Sequence, residues 1–156
     1  MAAALKAGDP APDFSLTGGG GAAMSLKSFA GKKLVVYFYP KDDTSGCTKE
    51  AIDFNGLRAE FRSADAEVIG ISADSPNSHE KFKKKHNLAL TLLSDEQKAT
   101  IAAYGVWVEK SMYGRKYMGI ERATFLIDQR GKIAQVWNKV KVPGHAQAVL
   151  EAVQRL

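Results

Sequence analysis

Leu34-Val35-Val36-Tyr37-Phe38-Tyr39-Pro40-Lys41-Asp42-Asp43-Thr44-Ser45-Gly46-Cys47 is the stretch that decides the fold. Its first six residues are apolar, mostly β-branched or aromatic, and read as a central strand buried on both faces. Pro40 ends that strand, because proline cannot donate to a sheet ladder. Lys41 to Gly46 follows as a turn-forming segment. Beyond it, Cys47, Ala51, Phe54, Leu57 and Phe61 recur at steps of four, three, three and four. That spacing predicts a helix from Cys47 to Arg62 with one apolar stripe toward the sheet. Cys47 thus stands at a helix start, just past the end of a core strand.

Outward from this unit, Glu67 to Ser72 reads as a second strand. Ser75 and Pro76 supply an N-cap and a first-turn proline for a helix running to about Asn87. Leu90 to Leu93 is a short strand, and Ser94 with Gln97 forms a capping-box pair for a helix closed by Gly105. Ala123 to Ile127 is a strand, Asp128 to Gly131 a hairpin turn, and Ile133 to Val140 the returning strand. Pro143 to Leu156 closes the chain as a helix. The glycine run Gly18 to Gly21 reads as a hairpin turn or surface loop, since no Gly-Lys-Ser/Thr follows to make a phosphate loop. Alternating strands and helices predict a parallel core sheet, with the final hairpin adding antiparallel strands. A β-α-β unit followed by β-β-α is the thioredoxin-like α/β arrangement, a central mixed β-sheet flanked by helices. In open α/β sheets reactive groups lie beyond the carboxyl ends of the strands, where Cys47 falls.

The length of 156 residues fits one domain spanning 1–156. Lys plus Arg number 22 against 17 Asp plus Glu, a net charge of +5, and there is one cysteine. A single cysteine excludes an intrachain disulfide and any multi-cysteine zinc site or iron–sulfur cluster built from this chain alone. It also excludes a disulfide-stapled secreted scaffold. No cofactor or metal site is expected. The basic cluster Lys81, Lys83, Lys84 and Lys85 reads as a solvated helix face, so no nucleic-acid partner is expected. Met1 to Phe14 lacks the apolar core of a signal peptide, and the longest apolar run, Leu34 to Tyr39, is too short for a membrane span. The expected compartment is the cytoplasm, where thiols stay reduced.

A lone cysteine is ordinarily a small, inert hydrophobe. At a helix N-terminus, however, unsatisfied N–H groups and partial positive charge favour the thiolate, which is the nucleophile. The segment Tyr37 to Glu50 resembles the active-site segment of the peroxiredoxins, in particular the bacterioferritin-comigratory-protein or PrxQ subfamily. The pattern of Pro, three residues, Thr, two residues, Cys is met by Pro40, Thr44 and Cys47. Gly8 to Phe14, Tyr104-Gly105-Val106-Trp107 and Arg122 to Asp128 resemble the subfamily's other signatures, so the likeness covers nearly the whole chain. It implies a thioredoxin-like fold with peroxiredoxin N-terminal and mid-chain insertions.

The resemblance also implies roles. Cys47 is the peroxidatic cysteine, attacking one peroxide oxygen to give a sulfenic acid. Thr44 supplies a hydroxyl that both donates and accepts, as well as an ordinary helix N-cap. Backbone N–H groups of Gly46 and Cys47 hold the peroxide oxygens. Pro40 walls off the sulfur. Arg122 is the cation that stabilises the thiolate, and Glu50, on the same helix face as Cys47, either orients it or serves simply as a favourable acid in the first turn. Arg58, 11 residues along the helix from Cys47, is roughly 16 Å away by rise and cannot serve. Arg122 reaches Cys47 only if the strand Ala123–Ile127 is antiparallel to Leu34–Tyr39. Tyr37, Tyr39 and Trp107 read as core aromatics, Asp42 and Asp43 as turn formers, and His79, His86 and His145 as surface histidines without metal-ligand spacing.

Many PrxQ-like proteins carry a resolving cysteine five residues, or about 36 residues, after the first; here those positions hold Ile52 and Lys83. The expected function is therefore a one-cysteine thiol peroxidase acting on hydrogen peroxide and organic hydroperoxides. Its sulfenic acid is reduced by an external thiol: thioredoxin, glutaredoxin or glutathione. A monomer is expected, with a dimer as the alternative. The competing reading is a non-catalytic thioredoxin-fold binding or chaperone module.

Overall fold

The strand read from Leu34 forms Lys33–Phe38 in the computed structural model, which describes residues 4–18, 21 and 23–156. Numbered along the chain, the strands are β1 Ser15–Gly18, β2 Ala23–Ser25, β3 Lys33–Phe38, β4 Ala66–Ser72, β5 Thr91–Ser94, β6 Trp107–Met112, β7 Arg115–Ile120, β8 Ala123–Ile127 and β9 Ile133–Trp137. The helices are α1 Ser45–Gly56, α2 Arg58–Ser63, α3 Pro76–His86, α4 Ala99–Ala103 and α5 His145–Arg155. The main sheet has the order β2-β1-β5-β4-β3-β8-β9, and β6 with β7 makes a separate two-stranded ribbon.

β3 sits inside this sheet, parallel to β4 and antiparallel to β8. Its side chains alternate between two cores, as a two-sided strand demands. Val35 and Tyr37, with Tyr39 just beyond the strand, face Phe54 of α1, Phe61 of α2, Phe82 of α3 and Val149 of α5. Leu34, Val36 and Phe38 face Ile101 of α4, Tyr104 and Phe125. Tyr37 fits because its parallel partner is Gly70, where an added Cβ would stand 2.7 Å from the tyrosine ring.

The antiparallel pairing of β3 with β8 places Phe38 opposite Ala123. The start of β8 thereby meets the end of β3, and Arg122 arrives beside α1. The predicted hairpin after β8 is present, with β9 antiparallel to it.

Three elements differ from the sequence reading. The helix expected over Cys47–Arg62 begins two residues earlier, at Ser45, and is broken at Leu57 into α1 and α2. Gly56 weakens the helix there, and Leu57 N–H turns to the Phe54 carbonyl at 3.1 Å, a tighter turn than the α-helix makes. The capping box of Ser94 and Gln97 is not formed. Ser94 ends β5 with its hydroxyl buried and unpartnered, and Asp95 accepts the Ile101 N–H at 2.7 Å instead. The β6–β7 ribbon is additional to the predicted elements. Gly18 of the glycine run closes β1, which pairs antiparallel with β2; Gly19 and Gly20 lie outside the described residues. Among the described residues no helix is long and apolar enough to cross a membrane.

Candidate active site

Thr44 occupies the N-cap of α1 with extended backbone, so Ser45, Gly46 and Cys47 are its first three residues. Their N–H groups have no carbonyl one turn back and point out of the helix end. Cys47 faces the core and is 1% exposed. The helix dipole and the free amides favour negative charge at its sulfur.

Arg122 reaches over this helix end from the start of β8. Its Nη2 donates to Cys47 Sγ at 3.3 Å, and its Nη1 donates to Glu50 Oε1 at 2.7 Å. One planar guanidinium thus bridges the sulfur and the carboxylate, a fork that a lysine could not make. Gly46 is the reason it fits. A Cβ at that position would stand 3.2 Å from Arg122 Nη2.

Glu50 is 1% exposed, and its Oε2 is buried without a hydrogen-bond partner. Burial raises its carboxyl to about 7, and Arg122 opposes that rise. The phenol of Tyr37 is also buried and unpartnered; burial first, then Glu50 and Cys47, hold it well above the ordinary tyrosine value. Arg122 is itself raised: burial would lower it, but Glu50 and Cys47 more than offset that. Lys110 of β6, a residue the sequence reading passed over, has its ammonium lowered by burial first and by Arg122 second.

Thr44 is the N-cap by position, as expected, but its hydroxyl makes no cap hydrogen bond and donates instead to the Lys41 carbonyl at 2.9 Å. The hydroxyl therefore braces the loop Lys41–Gly46 while keeping its acceptor lone pairs. Pro40 is half-buried, between the end of β3 and that loop. Cys47, Glu50, Gly46 and Arg122 are brought together at the start of α1.

The histidine reading is corrected. His79 is fully buried and His145 nearly so, while His86 is partly exposed. His79 Nδ1 lies 2.7 Å from Asp42 Oδ2, and its Nε2 lies 3.0 Å from the Leu93 carbonyl. Asp42 is correspondingly buried, not simply a turn former. Ligand-type atoms of Asp42, Asp74 and His79 fall within 4.8 Å of one another. Both imidazole nitrogens are engaged in hydrogen bonds, so the ring offers no free lone pair to a metal. The available signal was helical: His79, Phe82 and His86 share a face at steps of three and four.

The AhpC/TSA family model matches residues 7–136. The chain belongs to the AhpC/TSA family. Peroxiredoxin Bcp of Bacillus subtilis is 47% identical over 152 residues, covering 97% of this chain and 95% of the relative. Peroxiredoxin Bcp of Xanthomonas campestris is 49% identical over 91% of this chain and 89% of its own. Among solved structures, Xanthomonas campestris peroxiredoxin Q superposes with a TM-score of 0.90 at 46% identity, covering 96% of this chain and 97% of that one. A bacterioferritin comigratory protein from the same organism, studied for its alkyl peroxide reduction activity, matches with a TM-score of 0.90 at 46% identity over 96% and 98%. The peroxiredoxin therefore has the thioredoxin-like fold and is an enzyme of the peroxidase class, which decides against the non-catalytic module.

Proposed function

We propose that this peroxidase works through Cys47, with a peroxide as substrate and a thiol as reductant. The Cys47 thiolate attacks one oxygen of hydrogen peroxide or an organic hydroperoxide. The S–O bond forms as the O–O bond breaks, sulfur is oxidised to sulfenic acid, and the departing oxygen takes a proton to leave as water or alcohol. The observation that carries this reading is the 3.3 Å contact from Arg122 to the sulfur at the N-terminus of α1. Arg122 and the Gly46 and Cys47 N–H groups supply positive potential where oxygen charge develops. Thr44 offers its lone pairs to the peroxide proton, Pro40 closes one side, and Glu50 fixes the guanidinium.

Cys47 is the one cysteine in the sequence, so resolution comes from outside it. An external thiol, of the thioredoxin, glutaredoxin or glutathione kind, attacks the sulfenic sulfur and releases water. A second thiol then frees Cys47 and leaves as a disulfide. The chain acts as a single-domain monomer in the cytoplasm. Peroxide consumption by wild type and Cys47→Ser, with mass spectrometry of the product, tests the reading. One oxygen added per Cys47, and sustained turnover only with added thiol, is the expected result. Equal consumption by both proteins overturns it.

A further inference from the structure

We infer, on the peroxidase reading given above, that the buried Asp42–His79 pair positions the active-site loop, so that His79 acts on Cys47 chemistry through Asp42. The loop Lys41–Gly46 carries Thr44 and the first amides of α1, and Asp42 is its one buried carboxylate. Three donors converge on that carboxylate. Tyr39 Oη donates to Oδ1 at 2.5 Å, and Ser78 Oγ donates to Oδ2 at 2.8 Å. His79 Nδ1 faces Oδ2 at 2.7 Å. The loop backbone is tied as well, since Asp42 N–H donates to Asp74 Oδ2 at 2.8 Å, and Ser72 Oγ donates to that same oxygen at 2.7 Å.

The protonation follows from the partners. Nε2 of His79 faces the Leu93 carbonyl, which only accepts, so Nε2 carries a hydrogen. Nδ1 and Oδ2 then share one further proton, because two bare lone pairs would repel at their 2.7 Å separation. The pair is thus a short hydrogen bond in a dry setting, and one that is costly to break. It joins the loop to α3 and, through Leu93, to β5. A weaker tie stands at the far end of α3: Lys85 Nζ and His86 Nε2 reach Asp43 at 2.7 and 2.9 Å, in the open where such pairs contribute little. Asp43 is held there with a φ of 59°. Helix α3 therefore grips two successive loop residues, and the buried grip is the stronger. A loop held at Asp42 keeps Thr44 and the α1 amides in register with the sulfur, which is where small displacements cost rate.

Two substitutions separate positioning from mere stability. In His79→Gln the side-chain amide replaces Nε2, keeping the Leu93 bond and withdrawing the donor from Asp42. In His79→Asn the amide replaces Nδ1, keeping the Asp42 bond and losing Leu93. Each variant leaves one buried hydrogen bond unmade, so their rates are compared only after circular dichroism shows both to be folded. The measurements are the rate of Cys47 oxidation by hydrogen peroxide and its rate of alkylation by iodoacetamide, which needs the thiolate but not the peroxide geometry. His79→Gln should slow the peroxide reaction about tenfold while alkylation changes less than about twofold, and His79→Asn should recover most of the loss. Should neither variant fold, Ser78→Ala removes only one donor to Asp42 and should give a peroxide-specific loss of about threefold. Equal peroxide rates in wild type and His79→Gln, equal losses in both variants, or parallel losses with both reagents overturn the inference. A wild type that leaves peroxide unconsumed overturns the peroxidase reading instead.

Discussion

Arg122 holds the Cys47 sulfur with one guanidinium nitrogen and the Glu50 carboxylate with the other, at 3.3 and 2.7 Å. Removing it takes away the positive charge at the sulfur and leaves a buried carboxylate without its ion pair. Arg122→Ala should lower the peroxide rate at neutral pH by about a hundredfold, the typical cost of one preorganised donor. Arg122→Lys should recover only part, since an ammonium cannot span both groups. Stopped-flow kinetics with hydrogen peroxide at neutral pH would show this, and an unchanged rate in Arg122→Ala removes the residue from its role.

Glu50 makes the stability of the fold depend on pH in a direction unusual for a carboxylate. Its folded value is raised from 4.5 to about 7, with burial as the leading cause. Between those values the native state holds a proton that the unfolded chain has lost. Its contribution is therefore complete below about 4.5 and disappears as pH rises through about 7, an effect on the order of 3 kcal/mol. Glu50→Gln keeps an acceptor for Arg122 and cannot ionise. Relative to wild type, the urea midpoint of the variant should rise as pH goes from about 4.5 to about 7, and parallel profiles for the two proteins reject the account.

Gly46 tests whether the guanidinium position itself matters. The added Cβ of Gly46→Ala would press on Arg122 Nη2 at 3.2 Å, and nothing else approaches as closely. Gly46 is not among the residues with positive φ, so alanine imposes no backbone strain. Alanine also favours the helix over glycine by up to about 1 kcal/mol. The expected outcome is a peroxide rate reduced about tenfold in a protein at least as stable as wild type, the loss reflecting one displaced charged hydrogen bond. A full-rate variant shows that Arg122 adjusts freely.

The parts of this arrangement that were legible in sequence are those written in local pattern. The apolar run of β3, the proline after it and the stripe through Cys47, Ala51 and Phe54 place the sulfur at a helix start beyond a strand end. The antiparallel course of β8 followed from asking which strand direction lets Arg122 reach Cys47. Other parts rest on tertiary contacts that carry no period. The β6–β7 ribbon is mostly exposed, so it lacks the alternation that marks a half-buried strand. The break at Leu57 is set by one glycine inside an otherwise continuous stripe. His79 and Asp42 lie 37 positions apart and meet only because α3 packs over the loop. Polar residues read as surface unless their partners are known, and here the partners were not neighbours in sequence.

His145 should oppose Glu50. It opens α5 and is buried edge-on against Phe54 and Trp137, with Nε2 2.8 Å from the Thr124 hydroxyl. Burial first and Arg122 second lower it from 6.5 to about 4. Between those values the unfolded chain takes up a proton that the native state refuses. The His145 contribution is thus present above about 6.5 and is lost as pH falls toward about 4, the reverse of the Glu50 slope. Over the shared interval the two slopes cancel in the wild type, and its urea midpoint should change little there. Each substitution should unmask the other group. Glu50→Gln should lose stability toward acid, and His145→Gln, which keeps an amide near Thr124, should lose it toward neutral pH. A double variant should be flat again. Parallel pH curves for the two single variants would show that neither group carries the dependence assigned to it.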